Sequence, residues 1–441
     1  MLDIRYITLI KVALPMMLSG FIQSVISITD AAFLSRYSEL AYNASGSAGL
    51  WYITLFMIFI GLTDGAQIAM AQKIGENDKL GLVSIFQSNL LILSITATLL
   101  FVFVLTIIPS GMHFFVHSNA LADAEITFLQ IRSFSFGAAI FTMSTQSLYL
   151  ATGKTTLVMF TSILVASCNI VLDYFMVFGI GPFPEMGLKG AAWASTIAEY
   201  LGAIFIFSTL LVSKLNAEFN FFKKLRVSSK QVFENLKLGI PLLFQGVVAL
   251  SIWTVFFIWI EQMGERDLTI SLNIRYIYFL AFIPIWGFAA TTKTYIAQYY
   301  GAKQFDKIPI IQRRIQLLIA ISLFICFHGA LFYPETLIRL VSTSESHIQA
   351  SGYILRLIGL SIYIYGIGNV YFQSISGLGK TRVTLIIEII TTGIYLCSAY
   401  VFIKLLKWPI HLVWLVEYIY YSVMLISTFI YIRYIYRYES N

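Results

Sequence analysis

The chain has 441 residues and a formal net charge of +7, yet only 12% of its residues are charged and 58% are hydrophobic. Soluble domains carry about 25% charged residues, so the composition excludes a water-soluble globule and implies a polytopic membrane protein. The basic excess calls for no nucleic acid, because anionic lipid at an inner leaflet supplies the counter-charge.

Breakers and charges divide the chain into twelve predicted spans: 6–36, 45–72, 82–109, 124–150, 155–179, 188–213, 233–261, 267–297, 311–333, 346–377, 381–403 and 409–434. A helix needs about 20 apolar residues to cross a hydrocarbon core about 30 Å thick. Residues 238–260 and 357–379 contain no Asp, Glu, Lys or Arg and supply one crossing each, and the equally uncharged 80–122 supplies a crossing plus a loop. The first apolar segment is too long for a signal-peptide core and has no small-residue cleavage site near it, so an uncleaved N-terminus is expected. Pro15, Pro241 and Pro284 interrupt the first, seventh and eighth spans and are candidate bends.

The first half of the sequence recurs in the second at a constant offset of 226 residues. Lys11 and Pro15 fall on Lys237 and Pro241, and Gly61 falls on Gly287. Gln72 and Gly75 fall on Gln298 and Gly301, and the triplet Gly153, Lys154, Thr155 falls on Gly379, Lys380, Thr381. A shared register of proline, glutamine and a Gly-Lys-Thr triplet is hard to obtain by chance in an apolar chain, and such internal repeats mark transporters built from related bundles. Six spans per repeat insert both halves in one orientation, which predicts a pseudo-two-fold axis along the membrane normal. The expected organisation is a six-helix lobe over 1–213, a Lys-rich cytoplasmic linker over 214–230 and a second six-helix lobe over 231–441. Nineteen Lys and Arg lie in the termini and even-numbered connections against six on the opposite side. The positive-inside rule therefore places both termini in the cytoplasm.

Cys168, Cys326 and Cys397 all lie in apolar spans, so neither a disulfide nor a metal site is expected. His113 and His117 are four apart but lack a third ligand nearby, and a zinc site needs at least three. Intramembrane acids cost about 3 kcal/mol or more at the bilayer centre and are functional candidates by default. Those here are Asp30, Asp64, Asp173, Glu199 and Glu417, while Glu388 is expected to snorkel toward an interface. Asn169 and Asp173 are four apart and share one helical face. That pair suits cation or proton binding and suits helix packing equally well. Asp30 would add a second carboxylate if its span neighbours the fifth, and two carboxylates at low dielectric cannot both ionise cheaply.

The run from Asn169 to Phe175, followed by Gly187 to Ser195, closely resembles a signature of multidrug and toxic compound extrusion (MATE) transporters. So do Leu14 and Pro15 followed by Thr29 to Phe33, and Ala71 to Gly75 after the second span. The resemblance covers the whole chain. It implies an all-α polytopic fold of twelve transmembrane helices in two six-helix bundles that face a central cavity open to one side at a time. The implied activity is an H⁺- or Na⁺-coupled antiporter that exports amphiphilic or cationic organic molecules by alternating access, not an enzyme. It would act as a monomer in a bacterial inner membrane, with no cofactor beyond the coupling ion. Carried over by position, the coupling residues are Asp30, Asn169 and Asp173, with Ser195, Thr196 and Glu199 as further members. Glu199 could instead pair with a neighbouring basic residue. Family members with a second cation site have acids in the seventh and tenth helices. This chain has none there, so coupling is expected in the N-terminal lobe.

The Gly-Lys-Thr triplets lack the earlier glycine of a phosphate loop, since Leu148 and Ser374 stand at that position. Short cytoplasmic turns are expected at both. The tyrosines from Tyr418 to Tyr438 read as an interfacial aromatic belt. A lipid-linked oligosaccharide flippase is the rival function, favoured if Arg132, Arg275 and Arg356 line a cavity. A membrane-embedded enzyme would need a convergent catalytic cluster that the five histidines do not supply.

Overall fold

The structure is a computed structural model that describes residues 1–116 and 118–439. The described residues are helical throughout, with no strand. In chain order the first half contains α1 (Tyr6–Tyr37), α2 (Glu39–Gly75), α3 (Lys79–Thr106), α4 (Ile108–Phe115), α5 (Asn119–Ser133), α6 (Ser135–Thr152), α7 (Thr155–Phe178), α8 (Gly187–Leu211) and the short α9 (Lys214–Phe219). The second half contains α10 (Ser229–Glu261), α11 (Glu265–Gly301), α12 (Ile308–Phe327), α13 (Gly329–Phe332), α14 (Pro334–Ile338), α15 (Glu345–Ile358), α16 (Ser361–Gly377), α17 (Thr381–Tyr400), α18 (Ile410–Val413) and α19 (Val416–Glu439). Among the described residues ten spans are long and apolar enough to cross a membrane, or twelve if each of two bent pairs counts as one. All twelve expected spans therefore have a counterpart.

Helix ends follow local chemistry. Ser38 caps α2 by accepting from the Ala41 amide at 3.1 Å, and Asp78 caps α3 through the Gly81 amide at 2.8 Å. Gly153 and Gly379 take left-handed φ angles of 75° and 78°, which glycine adopts without the usual Cβ penalty. Both Gly-Lys-Thr triplets are tight turns between helices, as expected.

The two bends fall at repeat-equivalent places. α5 and α6 meet at 45° across Phe134, and α15 and α16 meet at 42° across Gly359 and Leu360. A bend frees backbone carbonyls, and in an apolar medium each must find a donor. At the first break the Tyr200 hydroxyl donates to the Phe134 carbonyl at 3.0 Å. At the second, the Tyr418 hydroxyl donates to the Leu357 carbonyl at 2.8 Å, and the Ser361 hydroxyl donates to that of Ile358 at 2.7 Å.

By contacts the chain forms two compact units. One is Leu18–Leu243, and the other joins Met1–Met17 to Phe244–Asn441. The division thus falls inside α1 and α10, two residues after Pro15 and Pro241, and not in the segment 214–230. Each half contributes its opening half-helix to the other unit. In Leu18–Leu243, Gly61 and Gly65 of α2 let α10 approach so closely that a Cβ on Gly61 would lie 2.4 Å from the Leu243 Cα. A Cβ on Gly65 would lie 2.5 Å from the Gly239 amide nitrogen. In the second unit Gly287 of α11 lies against Met17, and Leu9, Val12 and Ala13 of α1 join the core. The chain start is tied there as well: the Tyr299 and Tyr295 hydroxyls donate to the Leu2 and Asp3 carbonyls, at 2.9 and 3.0 Å. Lipid tails are as apolar as leucine, so these close approaches supply van der Waals attraction that burial from water cannot. Large apolar side chains such as Leu99, Ile204, Ile258 and Phe324 are exposed.

Candidate functional site

Within the unit Leu18–Leu243, α7 and α8 present the polar residues that the sequence singled out. Asn169 and Asp173 lie one turn apart on α7, and both are fully buried. The Asn169 amide donates to the Ser195 hydroxyl of α8 at 3.0 Å. Asp30, in the C-terminal part of α1, meets them: its carboxyl and that of Asp173 lie within hydrogen-bonding reach of each other. Phe33, one turn along α1, holds this approach through ring contacts with Tyr174 and Phe178, with centroids 6.1 and 6.0 Å apart. The first and fifth predicted spans are therefore neighbours.

With both acids ionised, four buried acceptor oxygens have no protein donor: Asp30 Oδ1, Asn169 Oδ1 and both Asp173 carboxyl oxygens. Buried acceptors without donors are costly. A single proton on either acid turns that carboxyl into a donor and relieves two of them at once. The arrangement can therefore hold a proton between two carboxyls.

Beside the pair lies a network that sequence reasoning saw only in part. Arg132, the penultimate residue of α5, makes an ion pair with Glu199 of α8 at 2.7 Å. Its guanidinium covers the Tyr52 ring at 4.2 Å from the centroid and donates to the Ser135 hydroxyl at 3.1 Å. The Tyr52 hydroxyl donates to Glu199 at 3.4 Å. Arg132 is also close enough to act electrostatically on Asp30 and Asp173. Glu199 is thus paired with a neighbouring basic residue and also lies near enough to Asp30 to act on it. The Thr196 hydroxyl donates to the Ala192 carbonyl at 2.8 Å and accepts from Ser135 at 3.2 Å, next to the bend between α5 and α6. Arg132, Tyr52 and Ser135 were not predicted as site members. An arginine inside a span was the available signal for the first, because such a charge needs a partner.

One acid of the second unit differs from expectation. Glu388 does not snorkel: it is 4% exposed and accepts from the Tyr420 hydroxyl at 2.8 Å. Glu417 is buried and accepts from the Tyr395 hydroxyl at 3.0 Å. The expected aromatic belt is thus split, because Tyr418, Tyr420 and Tyr421 face inward onto polar groups while Tyr434 is exposed. The three arginines that would favour a flippase are each engaged locally. Arg356 pairs with Glu335 at 3.4 Å, and Arg275 lies 4.9 Å from the centre of the Phe257 ring. Among the described residues no cluster of three His, Cys, Asp or Glu could hold a metal. His113 meets Asp123 at 3.4 Å, and His117 lies outside the described residues.

A bundle of ten to twelve spans with buried, mutually facing carboxyls is the architecture of a secondary transporter. The MatE family model matches residues 15–175 and again 241–401, bounds separated by the same 226 residues as the internal repeat. The chain belongs to this family, the multidrug and toxic compound extrusion (MATE) transporters, and is an integral membrane transporter, not an enzyme. It is 27% identical over 398 residues to the probable multidrug resistance protein NorM of Thermotoga maritima, covering 87% of this chain and 82% of that protein. It is 26% identical over 285 residues to the uncharacterized transporter YisQ of Bacillus subtilis, covering 63% and 61%. Among solved structures, MATE in the straight conformation superimposes with a TM-score of 0.89 at 19% identity, over 98% of this chain and 96% of the other. An outward-facing multidrug resistance MATE family transporter of the MOP superfamily gives 0.88 with the same identity and coverage. These structures share the twelve-helix fold.

Proposed function

We propose that this protein is a proton-coupled antiporter that exports amphiphilic, cationic organic molecules. The observation that carries the reading is the approach of the Asp30 and Asp173 carboxyls, with Asn169 and Ser195 bonded to each other alongside. A proton shared by the two acids satisfies buried oxygens, whereas a sodium ion would enter a region already acted on by the Arg132 guanidinium. Loss of the proton leaves two facing carboxylates, an unfavourable state at low dielectric that favours rearrangement or exchange. The multidrug substrate class is supported by the NorM relatives named as multidrug resistance proteins. The basic-residue asymmetry supports cytoplasmic termini, and the bacterial relatives support a bacterial inner-membrane location. A single chain contains the whole acid cluster, which supports a monomer as the working unit. No feature favours the flippase, since each of its three arginines has a local partner.

The test is ethidium efflux from proteoliposomes under imposed proton or sodium gradients. Export driven by the proton gradient and absent in Asp173→Asn, with the variant still inserted, supports the reading. Export driven by sodium alone overturns the choice of ion, and no export under either gradient overturns the substrate class.

A further inference from the structure

We propose that Glu388 and Glu417 form a second proton-binding site, lined by tyrosine hydroxyls, in the unit made of Met1–Met17 and Phe244–Asn441. The internal repeat locates it. Adding the 226-residue offset to Asn169 and Ser195, which flank the first carboxyl pair, gives Tyr395 and Tyr421. The Tyr395 hydroxyl donates to Glu417 at 3.0 Å, and Tyr421, one turn from Glu417 on α19, acts on the same carboxyl. The place of Asp30 is taken by Phe256, whose ring lies 5.5 Å from that of Tyr395, and the place of Asp173 by Ala399. The repeat has therefore kept a polar pocket at the equivalent position while the acid comes from a different helix, the first turn of α19.

The pocket extends to a second acid. The Tyr420 hydroxyl donates to Glu388 of α17 at 2.8 Å, and its ring lies 5.6 Å from Tyr395 and 5.4 Å from Tyr421. From α16, the Tyr365 ring lies tilted against Tyr421 with centroids 4.7 Å apart, and its hydroxyl accepts from the Asn369 amide at 3.3 Å. From α11, Tyr278 acts on Glu417 and bonds the Ser361 hydroxyl at 2.8 Å. The groups facing the two acids from α11, α16, α17 and α19 are thus phenols, an amide and a hydroxyl, and among the described residues no arginine, lysine or histidine acts on either acid at close range. Two buried carboxylates compensated only by neutral donors leave two negative charges at low dielectric, and binding a proton removes one of them. Phenols suit both states, because they donate to a carboxylate and accept from a carboxylic acid.

The experiment is pH-difference infrared spectroscopy of the purified full chain in lipid nanodiscs. It is run on the Asp30→Asn/Asp173→Asn variant so that the first pair is silent and the outcome is independent of the antiport reading. The expected result is a protonated-carboxyl band that persists in this background. Glu388→Gln/Glu417→Gln added to it should abolish the band, and Tyr395→Phe should shift it by removing one hydrogen bond to Glu417. Absence of the band in the starting variant overturns the proposal, as does its survival after both glutamate substitutions. Should the glutamine variant fail to fold, an unshifted band in Tyr395→Phe overturns it equally.

Discussion

At repeat-equivalent positions the two units place different chemistry. Leu18–Leu243 has Asp30, Arg132, Asn169, Asp173 and Ser195 where the other unit has Phe256, Ile358, Tyr395, Ala399 and Tyr421. In the first unit, charges compensate charges: Arg132 is paired with Glu199 and lies near two further carboxyls. In the second, buried acids are compensated by neutral hydroxyls alone. One duplicated scaffold thus supports two ways of keeping carboxyls out of water. The charged network can respond to protonation by rearranging an ion pair, while the phenol cluster can accept a proton with its hydrogen bonds intact.

The comparison is broken most directly by Asp173→Asn, which should reduce proton-driven efflux to the rate of empty vesicles. Retained coupling would remove the distinction between the units. Next in size, Arg132→Met leaves Glu199 without its ion-pair partner, and loss of a hydrogen-bonded pair with a part-buried carboxylate should cost about 2 kcal/mol. Denaturant unfolding in detergent should show this loss, with Glu199→Gln added to Arg132→Met recovering part of it. Packing sharpens the contrast further. A Cβ at Gly61 would meet Leu243 backbone at 2.4 Å, whereas one at Gly287 would meet the flexible Met17 side chain at 2.4 Å and the Ala13 carbonyl at 3.0 Å. Gly61→Ala should therefore cost about 2 kcal/mol and Gly287→Ala about 1 kcal/mol, read as a difference in thermal unfolding temperature. Smallest are the hydroxyls at the two bends. Tyr200→Phe and Tyr418→Phe each remove one hydrogen bond worth about 1 kcal/mol. The loss at 200 should be the lesser, because the Gly137 amide still donates to the Phe134 carbonyl at 3.1 Å.

Span positions were legible because hydrophobic length and charge spacing are local properties of the sequence. The bends at Phe134 and Leu360 were not, since the hydroxyls that make them tolerable come from Tyr200 and Tyr418, far along the chain. The helical spacing of Asn169 and Asp173 placed them on one face, and the structure brings Asp30 and Ser195 to that face. Glu388 was misread because its depth along α17 suggested an interface, while its partner Tyr420 lies 32 residues away. The four-residue spacing of Glu417 and Tyr421, one turn of a single helix, was the overlooked local clue.

The boundary between units at Leu18 and Phe244 bears on how this chain can be taken apart. A nick in the segment 214–230 would not release two self-sufficient halves. The N-terminal fragment would lack Ser229–Leu243, including the Asn235 amide that donates to the Ile85 carbonyl at 3.2 Å, and would carry Met1–Met17 without their core. Each fragment holds a piece that the other needs. Halves produced together should therefore complement one another in the membrane, while either half produced alone should be degraded.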